Sequence, residues 1–161
     1  MDIDHDKRRF EAILCSAGIS AALGFLNART PHRFTGIYRY DGDMLRNEYL
    51  YDQFHTEVVK GEDVPLAQAY CSIVAHTGAA LEILDTAALS PNQVIAGSSV
   101  ISYCGVLIRD QQGEPFGALC HFDLKPCQAR VSDLPLLEAV APLFFIALSG
   151  LTQPLQPLPQ L

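Results

Sequence analysis

The chain has 161 residues, 49% of them hydrophobic, and a formal net charge of −7 at pH 7, enough apolar mass for one sizeable core within the usual length of a single domain. Its 11 basic residues are scattered singly apart from Lys7-Arg8-Arg9, so no basic face is available to neutralise a phosphate backbone and no nucleic-acid partner is expected. The charged N-terminal segment, and the lack of an apolar run long enough to span a bilayer, predict a cytoplasmic protein without membrane association.

Residues 1–9 read as a flexible lead. From Phe10 to about Asn27, Phe10, Ile13, Leu14, Ala17, Ala21 and Phe25 recur at helical spacing, and Pro31 bars continuation, which predicts one helix. Phe34 to Tyr40 and Met44 to Tyr51 read as strands paired through Asp41-Gly42, a strong hairpin signal. Alternation places Phe34, Gly36, Tyr38 and Tyr40 on one face and Thr35, Ile37 and Arg39 on the other. Asp52 to Asp63 is a polar loop, and Val64-Pro65 suits the first turn of a short helix through Tyr70. Cys71 to His76 and Ala80 to Leu84 flank Thr77-Gly78 as a short strand pair. Between Asp85 and Val100, Thr86, Ser90, Pro91, Asn92, Gly97 and Ser98 interrupt any long pattern and leave at most short helices.

Ser102 to Asp123, SYCGVLIRDQQGEPFGALCHFD, forms two strand runs around Asp110-Gln111-Gln112-Gly113 and predicts an antiparallel hairpin. Ser132 and Asp133 suit the start of a last helix, with Leu137, Val140, Ala141, Phe144 and Leu148 as its apolar stripe and Pro142 as a kink. Residues 151–161, LTQPLQPLPQL, are expected to be a disordered tail. Helices at both ends of an antiparallel sheet make an α+β arrangement. The five cysteines, Cys15, Cys71, Cys104, Cys120 and Cys127, are odd in number and lack CxxC spacing, which argues against a disulfide framework and against a zinc ribbon.

The Tyr-x-Gly-Val strand, the polar glycine turn and the Gly-x-Leu-Cys-x-Phe-Asp strand resemble the closing hairpin of a GAF domain, a small sensory module of bacterial signalling proteins. Cys71-Ser72-Ile73-Val74, Thr77-Gly78 and Glu82-Ile83-Leu84-Asp85 extend the resemblance over roughly residues 10–150, as one domain. The resemblance implies a central antiparallel sheet of about six strands. It places the N- and C-terminal helices on one face and short helices and loops over a small-molecule pocket on the other. It also implies a homodimer through the terminal helices and signalling through a partner protein.

Tyr38, Tyr40, Phe54 and Tyr103 are candidates for an apolar wall of that pocket, and Ser72, His76, Thr77 and Asp85 for its polar contacts. Cys71, Cys104 and His121 complete the candidate ligand-binding set. No catalytic residue, metal ligand or cofactor is assigned, and the ligand is unidentified. The donors Cys71, His76, Cys104, Cys120 and His121 are irregularly spaced for a metal or haem site. Cys120-His121 lies in a strand pattern, unlike the bilin-attaching Cys-His of phytochromes, so Cys120 reads as core filler. The Asn-Lys-Phe-Asp-Glu signature of cyclic-nucleotide-binding relatives is not found. The main reading is a sensory module for a small molecule. Its alternatives are an interaction scaffold with a self-filled pocket, and a thiol-dependent enzyme resembling free methionine-(R)-sulfoxide reductase with Cys71 and Cys104 as candidate thiols.

Overall fold

Two hairpins supply most of the sheet in the computed structural model, which describes residues 2–129 and 131–150; the tail expected at 151–161 lies outside the described residues. The first joins β1 (Phe34–Asp41) to β2 (Met44–Asp52) through Gly42, whose φ of 61° only glycine adopts without strain. The second joins β5 (Ser102–Arg109) to β6 (Pro115–Asp123) around Gly113. Two short strands, β3 (Val64–Pro65) and β4 (Leu81–Ile83), close the edges of a six-stranded antiparallel sheet ordered β3-β2-β1-β6-β5-β4. Edges this short offer little unpaired backbone to another chain. The hairpins meet where β1 pairs with β6, placing Thr35 opposite His121, Gly36 opposite Cys120 and Tyr38 opposite Ala118.

Alternation along these strands sorts their side chains into two cores. On one face Ile37, Cys104, Val106, Ile108 and Leu119 pack against α1 (Ile3–Ala17), α2 (Ile19–Asn27) and α4 (Leu134–Ser149), through Phe10, Leu23, Leu26, Leu136, Val140 and Phe144. Phe10 meets Phe144 edge-on at 5.2 Å between ring centres, a favoured aromatic geometry. On the other face Leu45, Tyr103, Ala118 and Cys120 pack against Tyr70 and against α3 (Cys71–Thr77). Among the described residues, no helix is long and apolar enough to cross a membrane.

The local departures from sequence expectation have simple causes. The first helix starts at Ile3, inside the stretch read as a flexible lead, because Asp2 caps it by accepting a hydrogen bond from His5 N at 3.1 Å. It then breaks at Gly18, whose φ of 91° removes it from the helical region and turns the predicted single helix into two. Val64-Pro65 pairs with β2 instead of opening a helix, and only Leu66–Gln68 coils as a 3₁₀ turn. Cys71 to His76, read as a strand, is helical, and Gly78 in the left-handed region stops it by donating its N–H to Val74 O.

Candidate functional site

Between the α3 face of the sheet and its covering segments lies a cavity of about 420 Å³, within the usual range for small-ligand sites. Phe34 and Tyr38 of β1, Tyr103 of β5, and Cys120 and Phe122 of β6 form its floor. These strands are neighbours and their alternating residues point the same way. Leu45, Leu50 and Val64 form one wall, and the segment Gly97 to Val100 closes the roof with Tyr70 and Cys71 at the start of α3. Gly105 gives Tyr103 its room. A Cβ there would sit 2.6 Å from the Tyr103 ring, so glycine lets the ring lie along the strand.

Two polar groups of the cavity lining are in direct contact. Cys71 Sγ lies 3.1 Å from Tyr103 Oη, and the Cys71 and Cys120 side chains border the same space and belong to one buried cluster. The influence of Cys120, with help from Tyr103, holds the Cys71 thiol below its ordinary range despite burial. The reciprocal influence of Cys71, followed by burial, pushes Cys120 up. The pair therefore loses its first proton at Cys71. Burial pushes the Tyr103 and Tyr38 phenols well up, so both stay neutral donors. Glu62, Gln68, Ser98 and Ser99 add polar atoms to the lining, which contains no lysine, arginine or histidine.

Of the residues singled out from sequence, Tyr38, Cys71 and Tyr103 come together in this cavity. Tyr40 stands behind it and donates its hydroxyl to Cys71 O at 2.7 Å, fixing the start of α3. The others lie elsewhere. Phe54 is 62% exposed with the Arg33 guanidinium over its ring, because the chain turns outward where Asp52 accepts a hydrogen bond from Phe54 N. Ser72 and His76 sit on α3 outside the lining. Thr77 bonds back to Ile73 O at 2.8 Å, and Asp85 caps a 3₁₀ turn through Ala87 N. Cys104 and His121 occupy the opposite face of the sheet, paired across the β5–β6 ladder.

On that face His121 is fully buried and belongs to a polar chain rather than to a ligand site. Asn27 Nδ2 donates to Thr35 Oγ1 at 2.9 Å, and the same hydroxyl is hydrogen-bonded to His121 Nδ1 at 2.7 Å. His121 Nε2–H then donates to Asp133 Oδ2 at 2.8 Å. Asp133 Oδ1 accepts from Arg29, which also reaches Asp6 of α1 at 2.9 Å. His32 stacks on His121, and burial, aided by the nearby His121, pushes its pKa down to about 4. Burial also pushes the Cys104 thiol far up, so it is a poor nucleophile. The donors once considered together for a metal are thus split between two faces. Among the described residues no group of three or more His, Cys, Asp or Glu converges as a metal site.

Sequence reading missed Leu45, Leu50, Tyr70, Val100, Cys120 and Phe122 as lining residues. For Cys120 and Phe122 the missing fact was the β1–β6 pairing, which puts them beside Gly36 and Phe34. Residues directly opposite in a ladder share a face. Knowledge of that one pairing extends the Phe34–Tyr38 face straight onto Cys120.

No protein-family model matches the sequence, and no curated protein matches it. Solved structures do. The chain is similar to the GAF domain of an Acinetobacter phosphoenolpyruvate-protein phosphotransferase at 12% identity, covering 93% of this chain and 96% of that one with a TM-score of 0.72. It is similar to the free methionine-R-sulfoxide reductase of Neisseria meningitidis, solved with its substrate, at 15% identity, 92% and 89% coverage and a TM-score of 0.68. A type II free methionine-R-sulfoxide reductase from Thermoplasma acidophilum matches at 20% identity, 90% and 96% coverage and a TM-score of 0.62. At these identities the likeness establishes the fold, and the fold is that of a GAF domain.

Proposed function

We propose that the chain is a cytoplasmic regulatory module that binds a small, mostly apolar, neutral or cationic molecule in the cavity and acts through a partner protein, paired with a second copy along its terminal helices. The observation that carries this reading is the 420 Å³ space lined by Phe34, Tyr38, Leu45, Leu50 and Phe122, with Cys71 and Tyr103 in contact in its lining. Apolar walls supply affinity at about 0.8 kcal/mol per buried CH₂. The grouped donors set orientation.

Charge narrows the ligand class. With Glu62 in the lining and no cationic side chain there, a phosphate or free carboxylate entering the cavity lacks a partner and loses its hydration. Nucleotides and free amino acids are disfavoured on that ground. The same argument weighs against a free methionine sulfoxide substrate, although the fold is shared with such reductases. A scaffold whose own side chains fill the pocket is opposed by the open space beside Phe34 and Tyr38.

A thermal-shift screen of neutral, cationic and anionic metabolites tests the reading. A ligand at about a hundred times its Kd stabilises by about 2.7 kcal/mol, a rise of several degrees in Tm for a domain of this size. We expect such a rise from neutral or cationic apolar compounds. A response confined to phosphorylated compounds overturns the proposed ligand class. Sedimentation equilibrium showing only monomer at tens of micromolar removes the pairing of two copies.

A further inference from the structure

We propose that Cys71 and Cys120 form a reversible dithiol–disulfide couple inside the cavity, oxidised by a small organic hydroperoxide that enters it. The proposal rests on the reading of the cavity as open to small molecules, and adds to it a chemistry. Both sulfur-bearing side chains line the same space, from α3 on one side and β6 on the other. Both belong to one buried cluster, and Tyr103 Oη stands 3.1 Å from Cys71 Sγ. Neither residue is needed to fill a gap in the helix-side core, where Cys104 does that work.

The roles are unequal. Cys71 meets the Tyr103 hydroxyl at 3.1 Å, and Cys120 and that hydroxyl together favour its thiolate. Thiolate character governs attack on peroxides and on disulfides. The Cys71 thiolate attacks the terminal oxygen of the hydroperoxide, the O–O bond breaks, and the alcohol leaves with a proton, giving a sulfenic acid on Cys71. The Cys120 thiol then attacks that sulfur, an S–S bond forms, and water leaves. In total two thiols and one hydroperoxide become one disulfide, one alcohol and one water. The apolar lining favours an organic hydroperoxide over hydrogen peroxide, because the carbon portion is drawn from water into the cavity. The resulting bond ties α3 to the centre of the sheet across the cavity floor.

The test uses the full chain with the exposed Cys15 replaced by Ser, so that pairing between molecules does not intrude. Reduced protein, freed of reductant under inert gas, is treated with stoichiometric cumene hydroperoxide and followed by intact mass and peptide mapping. We expect the mass to fall by two hydrogens, a mapped Cys71–Cys120 disulfide, and reversal by dithiothreitol. Adding Cys120→Ser should arrest the reaction at a Cys71 sulfenic acid that dimedone traps, whereas adding Cys104→Ser should leave disulfide formation intact. Should Cys120→Ser lose its cooperative melting transition, Cys120→Ala replaces it. Thiols that stay reduced, or a disulfide through Cys104 or Cys127, overturn the proposal. If the thiols stay reduced while neutral ligands still raise Tm, the couple falls and the binding site stands; a disulfide without any ligand-induced rise in Tm has the reverse meaning.

Discussion

On the helix-side face of the sheet, Ile37, Val106, Ile108 and Leu119 are buried to 2% exposure or less against Phe10, Leu23, Leu136 and Phe144. On the opposite face, Phe34, Tyr38, Cys120 and Phe122 border open space. The same three strands, β1, β5 and β6, serve both faces. The helix side spends its apolar residues on cohesion and meets its buried polar groups with partners, from Asn27 through Thr35 and His121 to Asp133. The cavity side leaves volume unfilled, which forgoes dispersion contacts along its walls. One face holds the domain together, and the other is free to receive something.

If that division is right, the largest loss of stability should come from the helix side. Phe144→Ala, at a fully buried site in edge contact with Phe10, should cost about 3–5 kcal/mol by urea denaturation. A cost near that of an exposed site would dissolve the contrast. The next effect is acid sensitivity. His32 has a pKa of about 4 in the fold against 6.5 when free, so the unfolded chain binds more protons between those values and stability falls as pH drops from 6.5 towards 4. The loss should reach about 3 kcal/mol at the acid end and is absent above pH 7. Denaturation curves of His32→Gln should show a shallower decline over that window; an unchanged slope would clear His32 of the role. The smallest effect belongs to the cavity side. Val100→Phe adds bulk where a packed core would resist by about 1–3 kcal/mol, yet here it has room, so stability should move by less than about 1 kcal/mol while ligand-induced shifts in Tm disappear.

Legibility from sequence divided along a similar line. The two hairpins could be read because their evidence is local: alternating β-branched and aromatic runs around Gly42 and Gly113, both with positive φ. Residues 71–77 were misread because a short run of Cys, Ile and Val lacks enough length to display a period, and strand-like composition prevailed. Gly78 was the better signal, since a glycine just past a short apolar segment is also a helix stop. The candidate site was legible only where one strand carried it. Tyr38 followed from alternation within its own strand, whereas Cys120 required a strand neighbour distant in sequence. His121 was included in the candidate ligand-binding set, but its position next to Cys120 in a strand sends it to the far side, where Thr35 and Asp133 take up both ring nitrogens.

That adjacency has a mechanical result. Cys120 touches the hollow and His121 anchors the chain of polar contacts that runs through Asp133 and Arg29 to Asp6, reaching the first turn of α1 and the N-cap of α4. A single peptide link is all that separates the cavity floor from the far-side tether, so the shortest covalent route between the two faces of the sheet is one residue long.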